Sequence, residues 1–184
     1  MQSENVNAVD ESGVSLAMGT AQEEGIKISG FYNVECVGAD GQVKWTDTIK
    51  NLVVTVGKND LLDKYFAGSS YTAAWYMGLV DGTSTPTYAA TDTLASHAGW
   101  TENTGYTGTN RITVGWNAAS AGSKASTTTA FSINASGTIA GALLTVTQAK
   151  ATTTGVLYSA GNFTGGSRTV ASSDTLNVTY TASV

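Results

Sequence analysis

GIKISGFYNVECVGADGQVKWTDTIKN, residues 25–51, decides the fold class. Ile26, Ile28, Tyr32, Val34 and Cys36 recur at period two, the pattern of a strand with one buried face. Gly30 interrupts the apolar series and is expected to mark a bulge. Gly38-Ala39-Asp40-Gly41 supplies turn residues, and Asp-Gly is a strong hairpin signal. Val43 and Trp45 continue the alternation on the returning strand. Asp47 breaks it, and Ile49 resumes it on the same face. Two strands joined by a tight turn make an antiparallel pair.

Similar segments recur toward the C-terminus. YTAAWYMGLVDG, RITVGW, TTTAFSIN, GTIAGALLTVTQ, TTGVLYSAG and DTLNVTYTASV are short strand-like runs separated by Gly, Ser and Asn. Eight or nine such strands predict an all-β antiparallel sandwich, jelly-roll-like in kind, over residues 26–184. Gly165-Gly166 reads as a hairpin turn. One helix is expected near 57–67. Leu61, Leu62, Tyr65 and Phe66 share a face there, Asp60 and Asp63 lie toward its start, and Gly68 follows as a stop. Residues 83–109 form a long excursion between strands, and loops of that length are functional or disordered. Its aromatic residues Tyr88, Trp100 and Tyr106 argue for order. Trp45, Trp75 and Trp116 are expected to fill the core. Trp100, in a loop, is expected at a sheet edge or a subunit contact.

Charged residues make up 12% of the 184, about half the usual share. Thr and Ser can coat the solvent face of a sheet instead. Residues 1–25 hold five acids and no Lys or Arg, so this segment carries the whole net charge of −5. It reads as a flexible acidic arm with Val14, Leu16 and Met18 as apolar anchors. The balanced remainder offers no basic groove for nucleic acid. No apolar run approaches the roughly 20 residues that span a bilayer, so no membrane partner is expected. Cys36 is the only cysteine, which precludes an internal disulfide. The N-terminus lacks the basic and apolar regions of a signal peptide, so export by that route is not expected. Without it, the triplets at Asn134, Asn162 and Asn177 carry little weight as glycosylation acceptors.

Candidate chemistry is sparse. His97 is the only histidine, and a zinc site needs three or four nitrogen or sulfur ligands. Asp81, Asp92 and Glu102 flank it, without the ligand density of a calcium loop. No nucleophile elbow, phosphate-binding loop or dinucleotide fingerprint occurs. The expectation is a protein that is not an enzyme and takes no cofactor or metal.

NLVVTVGKNDLLDKYFAGSSYTAAWYMGLVDG (51–82), PTYAATDTLASHAGWTE (86–102), RITVGWNAASAGSKAS (111–126) and SSDTLNVTYTASV (172–184) together resemble tailed-bacteriophage virion structural proteins, the small β-sandwiches of the capsid decoration or cement type. The resemblance spans about residues 26–184. It implies a homotrimer that binds the major capsid protein on the outer capsid surface, assembled in the host cytoplasm. Val14, Leu16 and Met18 are the expected capsid-contact residues. Tyr88, His97, Trp100 and Tyr106 are the expected subunit-contact loop. The alternative is a tail-fibre or receptor-binding module, with aromatic residues such as Trp100 and Tyr106 stacked on host glycans.

Overall fold

A computed structural model describes residues 27–66 and 74–184. The chain runs β1 (Ser29–Val37), β2 (Val43–Lys50), β3 (Leu52–Val53), α1 (Thr55–Phe66), β4 (Trp75–Asp81), β5 (Glu102–Asn103), β6 (Ile112–Val114), β7 (Ser123–Ala125), β8 (Thr129–Ser132), β9 (Gly137–Thr145), β10 (Leu157–Asn162), β11 (Arg168–Val170) and β12 (Thr175–Ser183). All pairings are antiparallel and form two sheets, so the chain is an all-β sandwich with one short helix.

The first sheet runs β2-β1-β12, with β7 and β8 both on the far side of β12. The second runs β3-β10-β9-β4. In it β11 follows β10 along β9, and β5 and β6 share the free edge of β4. Three strand positions, β5/β6, β7/β8 and β10/β11, are thus each built in two pieces. The pieces are split by residues 104–111, 126–128 and 163–167. Counting each split strand once, the twelve segments among the described residues occupy nine strand positions, in line with the eight or nine expected.

The β1–β2 hairpin forms where the Asp-Gly signal places it. Gly41 takes φ +77°, a left-handed conformation that glycine adopts without a Cβ clash. The Asp40 carboxylate accepts the Gln42 N–H at 3.0 Å. Gly30 is not a bulge. It pairs in register with Ala182, and the register shift falls at Cys36/Val37. A Cβ at Gly30 would sit 2.1 Å from the Tyr180 hydroxyl, so the glycine makes room for that ring. Asp47 interrupts the apolar alternation because it is an inward-turned charge with a partner. Its carboxylate accepts Arg168 Nη2 at 2.8 Å.

Gly165-Gly166 is likewise no hairpin, because β10 and β11 do not pair with each other. Residues 163–167 leave the β9 edge and reach the first sheet. Phe163 bridges Ile49, and Thr164 N–H donates to the Thr48 carbonyl at 2.8 Å. This excursion joins the two layers along one side.

The main core lies between the sheets. Tyr32, Tyr180, Phe131, Ile49, Met77 and Leu144 are among its fully buried residues. A second apolar cluster covers the outer face of the second sheet and includes Val54, Val80, Leu94, Trp100, Leu143 and Leu157. Strand β9 reads GTIAGALLT for this reason, since a strand covered on both faces needs no alternation. Gly141 lies in this doubly covered strand, where a Cβ would meet the Gly161 carbonyl oxygen at 1.8 Å. Gly141→Ala is expected to force β9 and β10 apart and to lower the urea midpoint sharply. An unchanged midpoint would contradict this packing.

The helix begins at Thr55, earlier than the sequence suggests, and its first turn holds no acid. Lys58 N–H donates to the Val54 carbonyl, and the Ala90 carbonyl from the long excursion accepts Thr55 N–H at 2.8 Å. A loop carbonyl therefore receives one of the orphan donors that a side-chain cap would otherwise take. Gly57 is the helix's buried residue. A Cβ there would lie 2.6 Å from the Tyr158 carbonyl, so the helix seats its backbone against β10. Leu61 lies one turn on from that contact and is partly buried. The expected apolar face spans an arc of about 140° at 100° per residue. Its Leu61 edge reaches the body, Tyr65 borders a hollow beside Trp75 while staying largely exposed, and Leu62 and Phe66 point away. Gly68, the expected stop, lies outside the described residues.

Candidate functional site

The excursion after β4 is ordered by its own side chains. Asp81 accepts Thr83 N–H at 2.9 Å and Asn103 Nδ2 at 3.0 Å, and also the Thr83 hydroxyl. Burial pushes the Asp81 carboxyl up, but these hydrogen bonds outweigh it and hold it below the usual carboxylate value. Tyr88 donates its hydroxyl to Asn162 Oδ1 at 2.6 Å, and Asn162 Nδ2 donates to the Pro86 carbonyl at 2.9 Å. Asp92 Oδ2 accepts both Ala89 N–H and Trp100 Nε1–H. The His97 ring stacks on Trp100 at 4.0 Å, and its Nδ1 lies 2.9 Å from the Trp100 carbonyl.

These contacts relocate the residues expected at a subunit contact. Trp100 is 3% exposed and sits in the second core cluster. Tyr106 is 1% exposed, edge-on to Phe131, with Lys150 Nζ 3.5 Å above its ring. Neither ring is available to stack on a sugar or a neighbouring chain. Tyr88 and His97 are half-buried and face inward contacts. The expected order of the tryptophans is reversed: the loop Trp100 is buried, while Trp45, Trp75 and Trp116 are only partly covered at the core margin. Val14, Leu16 and Met18 lie outside the described residues.

The charged groups serve the fold. Arg111 and Glu102 form a buried pair joined by two 2.8 Å hydrogen bonds. Asp174 accepts Lys44 Nζ at 2.8 Å, Ala171 N–H at 2.8 Å and the Cys36 thiol at 3.7 Å. Burial and the neighbouring Asp174 push the Cys36 thiol up to about 11, so it stays protonated at neutral pH. Among the described residues no three His, Cys, Asp or Glu side chains converge as a metal site. Asp81, Asp92 and Glu102 each have separate partners, so they do not form the calcium cluster their spacing raises. No described helix is long and apolar enough to cross a membrane.

Asp47 and Asp174 give a pH dependence. Burial pushes both carboxyls up. Hydrogen bonds from Arg168, Thr48 and Gly165 outweigh that for Asp47, and bonds from Ala171, Lys44 and Cys36 do so for Asp174. Both folded values therefore lie below the unfolded value of about 3.9. Their stabilisation is fully present above that value and is lost as pH falls through the lower folded values. The urea midpoint should hold steady from about pH 7 to 5 and fall below about pH 4. Asp174→Asn should reduce that fall. A midpoint unchanged down to about pH 2.5 would contradict the assignment.

The surface feature that stands out is apolar. Leu62, Tyr65 and Phe66 on α1 are 40%, 80% and 69% exposed, with the two rings edge to face at 5.0 Å. Exposed apolar groups gathered in one place mark contact sites more often than do scattered ones. No protein-family model matches the chain, and no curated protein matches it. The function therefore rests on these surfaces. A second surface is a polar trough of about 680 Å³ across the outer face of the first sheet, where Asn33, Glu35, Thr46, Thr48, Asn177 and Thr179 point outward. The helix strip was visible in the sequence as apolar periodicity. Its outward direction was not, because the signal for that is Gly57 acting as the docking residue.

Proposed function

We propose that this chain is a non-enzymatic phage structural protein that binds the outer surface of a capsid and stabilises the shell. The observation that carries the proposal is the outward strip Leu62, Tyr65 and Phe66, set on a sandwich whose buried Asp92, Arg111 and Asp174 already have hydrogen-bonding or ionic partners. Such a strip suits a flat protein partner, the major capsid protein. Aromatic residues are enriched where interfaces draw their binding energy. Stabilisation follows by mass action, because a partner that binds only the assembled shell lowers that shell's free energy. A homotrimer would add contacts through effective concentration. Val14, Leu16 and Met18 would add apolar contacts to the shell from the arm.

The test is cosedimentation with purified shells. The triple variant Leu62→Asp, Tyr65→Asp, Phe66→Asp should keep its fold and lose at least tenfold in shell affinity. The chain lacking residues 1–24 should also fold and bind poorly. Unchanged binding by both would contradict the proposal. The polar trough favours one second reading, a receptor-binding module whose Asn and Thr side chains meet glycan hydroxyls. Specific binding on a glycan array, lost in Asn33→Ala, would support that reading instead.

A further inference from the structure

Beside the outward strip, α1 and the open end of the sandwich enclose an apolar groove that no described residue fills. It consists of two hollows of about 210 and 260 Å³ that share Leu61, Trp75 and Tyr158 as walls. Ala182 and Lys124 stand at one end and Tyr65 at the other. Of its walls Leu61, Trp75 and Trp116 are only partly buried and Tyr65 is 80% exposed, so an apolar segment laid there would take further apolar surface out of water.

We infer that Val14, Leu16 and Met18 of the same chain occupy this groove in the free protein. The first support is where the described chain begins. Ser29 pairs with Ser183 and Gly30 with Ala182, and Ala182 in turn pairs with Lys124 at the rim of the groove. The Tyr180 hydroxyl, on a residue that lines the groove, fills the space a Cβ on Gly30 would take. Residues 1–26 therefore join the described fold beside this end of the groove.

The second support is reach and spacing. Nine residue steps lead from Met18 to Lys27, an extended span of about 30 Å. Val14, Leu16 and Met18 alternate at period two, so an extended backbone sets all three on one side at intervals of about 6.6 Å. One face of such a segment can lay successive side chains along the groove from the Ala182 end toward Tyr65. The third support is charge. Residues 1–25 hold five acids and no Lys or Arg, and the base Lys124 stands at the rim of the groove. A segment of the same chain also arrives at high effective concentration, which a second copy or a foreign peptide does not.

This docking concerns the free chain and stands apart from shell binding. A shell that takes the same three residues would have to compete for them.

The chain's three methionines make the test direct. In the full-length protein carrying ¹³C only at the methionine methyls, Met77 reports the closed core, Met1 the far N-terminus and Met18 the proposed contact. The Met18 methyl should show nuclear Overhauser contacts to ring protons of Trp75 and Tyr158. Tyr65→Asp alters an exposed side chain that the core does not use. It should move the Met18 signal toward the position of Met1 and leave Met77 in place. A Met18 signal in the wild-type chain that already matches Met1, without ring contacts, overturns the inference. Ring contacts that appear between labelled and unlabelled copies in a mixed sample also overturn it, because the segment would then belong to a neighbouring molecule.

Discussion

Arg111→Met is expected to cost about 3–5 kcal/mol of folding stability, because it leaves a buried carboxylate without its counter-charge. The side chains of Arg111 and Glu102 are 1% and 5% exposed. Arg111 Nε and Nη2 each donate to one Glu102 oxygen at 2.8 Å, and Nη1 donates to the Thr147 carbonyl at 2.9 Å. Ala151 N–H completes the Glu102 side at 2.7 Å. The pair also has a topological role. Glu102 lies in β5 and Arg111 just before β6, so the bond closes the excursion that splits this edge of the second sheet. A folded domain holds about 5–15 kcal/mol in total, so the single substitution should remove a large share. The double variant Arg111→Met, Glu102→Leu should recover part of the loss, since no charge is then stranded. Urea unfolding of the three chains measures this. A single variant within about 1 kcal/mol of the parent would mean that the pair is not buried in solution.

Trp100→Ala should be about as costly, about 3–5 kcal/mol, as expected when a large buried ring is removed. Its effect should also be local in a recognisable way. The indole donates to Asp92 Oδ2 at 3.0 Å, stacks on His97 and packs with Leu94, Val80 and Leu143. Without it the excursion loses its hold on the outer face of the second sheet. Hydrogen exchange should accelerate first at Thr87 N–H, which donates to Gly99, and at Thr55 N–H, which donates to Ala90. Amides of the β1–β12 ladder should follow only as global stability falls. Trp100→Phe should lose less. Equal acceleration in both regions would contradict the local role.

The legible part of the fold was the part with strict alternation. Residues 29–50 and 175–183 have one face in the main core and one in solvent, and period two survives in the sequence. The split strands β5/β6, β7/β8 and β10/β11 were less legible because each is interrupted, and a three-residue strand such as β6 or β11 carries little period of its own. Gly165-Gly166 looked like a hairpin because the sequence cannot tell a turn between paired strands from a detour along one edge. Trp100 was misplaced for a related reason. The second apolar cluster is built partly from loop residues, and loops are expected to lie on the surface. The helix residues were read correctly as a helix with one shared apolar face, but the direction of that face was not legible. Contact through Gly57 replaces side-chain burial there, and a glycine in a helical pattern ordinarily signals only weakness. His97 spends its ring on Trp100 of its own loop, stacked at 4.0 Å with Nδ1 2.9 Å from the Trp100 carbonyl.

The outward strip, the arm and the shell come together in one experiment, a cryo-EM map of the particle that carries this protein. Sandwich density on the outside of the shell at its local three-fold positions, with Leu62, Tyr65 and Phe66 turned toward the capsid subunits, is the predicted result. Density at the tail tip, or none on the particle, would contradict the assignment to the capsid surface.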